Sequence, residues 1–378
     1  MKARPVVLLL GPSREALSGV STHLNLLLPS AALAREFDLA HFQVGTEGRS
    51  EGPLRRWLRL AADPLRLAAA ILRHDAGVVH INTSLNARAY WRDLAYVAVA
   101  KLVGARVLYQ VHGGELPQKF LGGGRLAGAF LRFTLRLPDV LVVLASVELD
   151  AYRAFVPGQP VALVPNGIDC ERFLRHGRPA AEPQAPLALA FIGRLAREKG
   201  VFEVLEAMRL AREAGVAARL LVAGAGPDEE SLRQCVQELD LRREVTFVGV
   251  LDDKGKARLL GQSDALLLPS YSEGLPYALL EAMAAGAVPV VTRVGAMPDV
   301  VTEGQHGLFV PHADAQALAA AIGSLAADRA SLARMRDACR RRIASAFSIA
   351  RVADDLRALY STLLKNHVRN RRLGRSPT

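Results

Sequence analysis

Cysteine is scarce: the 378 residues contain three, Cys170, Cys235 and Cys339. They stand far apart and form no C-x-x-C, which excludes a disulfide framework and a cysteine zinc site and suits a reducing cytoplasm. Aromatic residues make up 6% of the chain. No stacking-aromatic pattern or DNA-binding motif accompanies them, so nucleic acid is not an expected partner. No uninterrupted apolar run reaches the roughly 18 residues that a membrane span needs. The run at 6–10 is also too short for the apolar core of a secretion signal and reads as a first buried strand. A P-loop is missing, and "GAGPDE" lacks the third glycine of a dinucleotide fingerprint. Neither a D-x-D triplet nor a His/Asp cluster occurs, so no metal and no other cofactor is expected.

What is present begins with size. A chain of 378 residues exceeds one ordinary core, since domains usually run about 100–200 residues, and two domains are expected. Hydrophobic residues make up 51% and charged residues 22%, a globular balance. The formal net charge of +11 draws polyanions in general: nucleic acid, anionic lipid surfaces and phosphorylated substrates alike.

Short apolar runs alternate with amphipathic segments. Strands are predicted at 6–10, 78–82, 107–112, 140–144 and 161–164, then at 187–192, 220–223, 245–248, 265–268 and 288–291. The runs lack period-two alternation, as strands buried on both faces do. Helical patterns between them, at 201–214 and 228–239 for example, imply βαβ units and doubly wound parallel sheets. The Pro- and Ala-rich stretch at 175–188 follows a hinge. The expected division is an N-terminal domain over 1–165, a C-terminal domain over 166–349, and a basic tail over 366–378. A last amphipathic helix at about 350–365 is able to pack on either domain, the first included.

Three strand-to-helix loops of the second half carry charge or glycine. In "SEGLPYALLEAMAAGAVPVV", residues 272–291, Pro276 suits the first helical position, where a missing N–H costs nothing. Gly274, Leu275 and Tyr277 then bring backbone N–H groups to a helix start at the carboxyl end of a parallel strand, a favoured place for an anion. Glu273 lies in that loop, where it is either a capping acid or a ligand-facing carboxylate. Glu281 lies within an apolar helix and must be paired or bound to hydroxyls, because an unpaired buried charge is very costly. In "FIGRLAREKG", Arg194 and Lys199 lie in another such loop, either as surface charges or as a fork and a point charge for phosphate oxygens. "LVAGAGPDEESL" is a third, a tight turn or a ligand contact.

Taken together, "GRLAREKG", "VAGAGP", the E-x7-E spacing of Glu273 and Glu281, "VPNGID" at 164–169 and "FVGVLDD" at 247–253 resemble the retaining nucleotide-sugar glycosyltransferases of glycosyltransferase family 4, the group 1 family. That resemblance implies the GT-B fold, two Rossmann-like doubly wound parallel-sheet domains facing across a cleft. It implies that Arg194 and Lys199 hold the donor diphosphate, that Glu281 accepts bonds from the ribose, and that Glu273, Gly274, Leu275 and Pro276 hold sugar hydroxyls and phosphate. Leu251, within 250–252, would lie near the base. In the first half it implies that Gly19 faces the diphosphate, where Ser18-Gly19 departs from the family's frequent Gly-Gly. It also implies that His112, in "VLYQVHGGE", contacts the sugar and the reaction centre. Glu115 would orient His112 or bind acceptor, and Asn82 or Thr83 would line the acceptor pocket or merely cap a strand.

The implied reaction transfers a hexose from a nucleotide-diphosphate sugar to an acceptor hydroxyl with retention and without metal. The acceptor is a glycan or lipid-linked sugar of cell-surface polysaccharide assembly. A nucleotide-sugar epimerase on the same fold and a non-catalytic nucleotide-binding module remain as alternatives. Two basic segments, 53–74 and 117–137, mix Arg with Leu, Phe and Trp57. They read either as core helices or as helices lying on an anionic membrane surface, which would make the cytoplasmic protein peripheral at the membrane.

Overall fold

The computed structural model of the chain describes residues 4–49, 51–120, 124–175 and 185–372. Most of the 175–188 stretch, part of the 117–137 segment and the last six residues of the tail lie outside them. The chain divides into two compact units, residues 1–167 with 349–378 and residues 168–348.

Unit 1 holds β1 (Val6–Gly11), β2 (Asp38–Gln43), β3 (Ala76–Leu85), β4 (Arg106–Gly114), β5 (Val140–Val143) and β6 (Val161–Leu163). They form a parallel sheet in the order β2-β1-β3-β4-β5-β6. The strand order reverses beside β1, so the loops after β1 and β3 diverge at the carboxyl edge. Alternate side chains of β1 feed two cores. Leu8 and Leu10 pack with Leu67, Ile71, Tyr96 and Leu131 on one face. Val7 and Leu9 pack with Leu24, Leu27, Leu356 and Tyr360 on the other. The last helix, Ile349–Arg372, therefore belongs to unit 1. Tyr360 meets Phe37 at 5.5 Å between ring centroids and Arg357 pairs with Glu36 at 3.0 Å. The helix runs into the stretch expected as a basic tail, as far as Arg372.

Unit 2 holds β7 (Leu187–Ile192), β8 (Ala218–Ala223), β9 (Val245–Gly249), β10 (Ala265–Leu268), β11 (Val288–Val291) and β12 (Leu308–Phe309). Its parallel sheet runs β12-β11-β10-β7-β8-β9. Here the reversal lies between β7 and β10, so the loops leaving these two strands flank one crevice at their carboxyl ends.

All ten predicted strands are present. The two missed, β2 and β12, are sheet edges: β2 is only partly buried and β12 has two residues. A strand covered on one side needs no continuous apolar run, which is the signal that revealed the others. Among the described residues no helix is long and apolar enough to cross a membrane.

Candidate active site

The reversal point of unit 2 gathers the charged loops. From β7 the chain passes through Gly193 and Arg194 into a short 3-10 turn, Arg197–Lys199, and then the helix Val201–Glu213. From β10 it passes through Pro269–Pro276 into the helix Tyr277–Ala285. The backbone N–H of Tyr271 donates to the Glu198 carbonyl at 2.9 Å and ties the two loops together. Across that junction the Lys199 ammonium donates to Glu273 Oε1 at 2.6 Å, and the Ser270 hydroxyl donates to the same oxygen at 2.9 Å. Arg194 is exposed, and its side chain makes no hydrogen bond or ion pair among the described residues. One cation is thus fixed by a carboxylate beside the amino end of a helix whose dipole favours an anion, and a second stands open in the loop after β7.

One detail differs from the sequence reading. Pro276 is the N-cap of the helix, with φ −70° and ψ 130°, rather than its first residue. The "GAGP" turn serves packing: a side chain on Gly224 (φ +136°) would put Cβ 1.8 Å from the Gly193 carbonyl oxygen, so the glycine lets this loop lie on the Arg194 loop.

Glu281 is 4% exposed. The required partner is Lys256, whose ammonium lies 2.8 Å from Glu281 Oε1 and 3.2 Å from Asp253. Asp253 in turn bonds Arg172. Burial raises the Glu281 carboxyl above its ordinary value, and the nearby Lys256 opposes that rise. Lys256 sits on the helix Asp253–Gln262, which is capped by Asp252 accepting from the Gly255 N–H at 2.7 Å and packs on the helix Tyr277–Ala285. Half-buried Leu251 immediately precedes that cap. Lys256 was missed because "DDKGKARLL" reads as an ordinary exposed helix start. The unmet need of Glu281 for a cation was the only hint.

In unit 1 the structure fixes His112 at the end of β4. The Asn82 amide nitrogen donates to the Leu10 carbonyl at 3.1 Å, which turns its oxygen toward His112 Nε2 at 2.9 Å. An oxygen there can only accept, so Nε2 carries the hydrogen. His23 lies edge-on to His112 with centroids 4.7 Å apart, and His80 bonds Gln110 at 2.9 Å and Tyr360 at 2.7 Å. Burial lowers all three: His80 to about 3, His112 to about 4 with the Asn166 side chain opposing, and His23 well below its ordinary value. All three are therefore neutral at pH 7.

The structure places the other first-half residues as follows. Asn82 is buried, with both ends of its amide engaged, so it positions His112. Thr83 is buried too, and its hydroxyl bonds Asp93. Glu115 is exposed and its backbone N–H donates to Leu85 at 3.1 Å; the group bonded to His112 is Asn82. Gly19 opens the helix Gly19–Leu27, with Ser18 as N-cap accepting from the Ser21 N–H at 3.3 Å. His23 and His80 went unnoticed as partners of His112, because contact among strand ends and a helix is set by topology.

Two families match the sequence, "Glycosyltransferase Family 4" over residues 27–172 and "Glycosyl transferases group 1" over residues 176–342. The chain belongs to the group 1 glycosyltransferases of family 4. A Salmonella typhimurium protein provisionally named the colanic acid biosynthesis glycosyltransferase WcaL is 33% identical over 215 residues, 55% of this chain. The match spans about half of that relative, 52% of its length. Among solved structures, sucrose-phosphate synthase from Thermosynechococcus elongatus superposes with a TM-score of 0.77 at 21% identity, covering 96% of this chain and all of that one (100%). Anabaena HepE in complex with UDP-glucose gives 0.74 at 15% identity, covering 94% and 99%. At such identities these likenesses establish the fold alone, which is GT-B.

Proposed function

We propose that this glycosyltransferase moves a hexose from a nucleotide-diphosphate sugar to an acceptor hydroxyl with retained configuration and without a metal. The observation that carries the reading is the meeting of Lys199 and Glu273 beside a helix start at the reversal point of unit 2, where the loop after β7 also carries Arg194. The difficult step is departure of the diphosphate as charge builds on its oxygens, and preorganised cations and a helix amino end stabilise that charge. Arg194 supplies a bidentate fork. Lys199 supplies a point charge that Glu273 holds in place until phosphate oxygens share it. Glu273 also takes sugar hydroxyls, with Gly274, Leu275 and Pro276 beside it. Glu281, kept ionised by Lys256, accepts from the ribose hydroxyls, and Leu251 lies against the base. The departing phosphate takes the acceptor's proton on the face that the acceptor attacks. Unit 1 receives the acceptor, and neutral His112 and Gly19 are the residues it offers for the reaction.

The bound UDP-glucose of HepE supports a nucleotide-sugar donor, and the name of WcaL supports an acceptor in polysaccharide assembly, lipid-linked or a growing glycan. The test is a panel of UDP-, GDP- and ADP-sugars assayed for donor hydrolysis and transfer. Arg194→Ala, Lys199→Ala and Glu273→Ala are each expected to lose well over tenfold. Because Arg194 is exposed and unpaired, its variant should keep its unfolding free energy within about 0.5 kcal/mol. Undiminished turnover in these variants would sink the assignment. Donor consumption without acceptor would indicate an epimerase, and nucleotide binding without turnover a binding module.

A further inference from the structure

The helix Pro53–His74 of unit 1 is apolar on two opposite sides. One side, with Asp63, Leu67 and Ile71, is buried. At 3.6 residues per turn, Leu54, Leu58, Leu65 and Leu72 fall within about 40° of one another, roughly opposite that buried side. These four leucines and the adjacent Trp57 are 64–74% exposed. A stripe of large side chains facing water on a helix already anchored by its other face has no role in the core, and such patches mark contact surfaces. The helix Ala87–Leu102 packs beside it, and Trp91 of that helix meets Phe130 of the helix Arg125–Thr134 at 5.7 Å between ring centroids. The third helix adds Leu126 and Phe133, 88% and 63% exposed. Both tryptophans of the chain thus stand exposed on this face.

Within the three helices the exposed charge is of one sign. Arg55 and Arg73, about 100° around the helix from Leu54, flank the stripe, and Arg125 and Arg132 flank the second apolar set. The one acid in Pro53–His74, Asp63, is buried and held by Arg59 and Arg66 at 2.8 and 3.0 Å; Asp93 of Ala87–Leu102 is buried against Arg92. Two copies of such a face would bring arginine against arginine. An anionic bilayer complements it, taking leucine and tryptophan into the interface and arginines to the headgroups.

We propose that this face of unit 1 docks on an anionic membrane surface, independently of the transfer chemistry. The experiment is flotation of the full chain with vesicles of phosphatidylcholine alone and of equimolar phosphatidylcholine and phosphatidylglycerol, at low and high salt. Self-association is followed in parallel by sedimentation. Binding is expected on the anionic vesicles only, to weaken with salt, and to fall about tenfold or more in Arg55→Glu/Arg73→Glu and in Leu54→Ser/Leu58→Ser/Leu65→Ser. These side chains are exposed, so circular dichroism should match the parent. In a Trp91→Phe background, Trp57 emission should shift to the blue on anionic vesicles and be quenched by brominated acyl chains. Absence of binding at low salt, equal binding to neutral vesicles, or unchanged binding in both variants would overturn the proposal. So would a parent dimer that the leucine variant dissociates while vesicles bind neither form.

Discussion

Replacing Lys256 by methionine removes the one ammonium within hydrogen-bond reach of the Glu281 carboxylate and keeps most of the side-chain volume. At 2.8 Å and an effective dielectric of about 20, the gross attraction is about 6 kcal/mol. Desolvation of both ions offsets part of this. Lys256 retains 18% side-chain exposure, which places the expected loss near the lower end for a broken buried pair, about 3 kcal/mol at pH 8. The pH dependence gives the reasoning its edge. Burial already raises the Glu281 carboxyl in the parent, and Lys256 opposes that rise. Without the lysine the carboxyl rises further, so the folded variant binds a proton more readily than the unfolded chain. Its stability then falls with increasing pH by up to about 1.4 kcal/mol per unit, from the ordinary carboxylate value up to the raised one. Below that window the neutral acid needs no cation and the deficit shrinks. Urea unfolding followed by circular dichroism at pH 5 and pH 8 measures both figures. The double variant Lys256→Met/Glu281→Gln, which carries no charge at either position, should recover most of the loss at pH 8. A deficit below about 0.5 kcal/mol, or one equal at the two pH values, would refute the claim that Lys256 is what keeps Glu281 ionised.

The buried histidines give a prediction of opposite sign. His80, held at about 3, His112, held at about 4, and His23 are bases lowered from their ordinary value. Their stabilisation is fully present above pH 6.5 and is lost as pH falls, at up to about 1.4 kcal/mol per unit each, or about 4 kcal/mol in all at pH 5.5; urea midpoints that stay flat between pH 7.5 and 5.5 would contradict this. Gly295→Ala, at φ +53°, would place Cβ 2.1 Å from the Glu273 carbonyl oxygen and 2.4 Å from that of Gly274. The loop must shift, and nucleoside diphosphate affinity by calorimetry should weaken about tenfold, whereas unchanged affinity would detach this loop from the phosphate site.

By itself the sequence determined the layering of the molecule and the places of its charged loops. Runs such as "ALLL" and "VPVV" suit strands of a sheet covered on both faces, and an apolar helix carrying Glu281 demands a partner. Arg194, Lys199 and Glu273 were found because strand, loop and helix start are local patterns. The tertiary structure decided which of these loops meet. Lys199 reaches Glu273 across 74 residues only because the strand order reverses between β7 and β10. Asn82, which reads as a strand-end residue, became the support of His112 because β1, β3 and β4 lie side by side. The outward leucines of Pro53–His74 look like any core helix until the opposite face is found to fill the core. Periodicity reports that a face is apolar, and only packing tells whether protein or solvent stands against it.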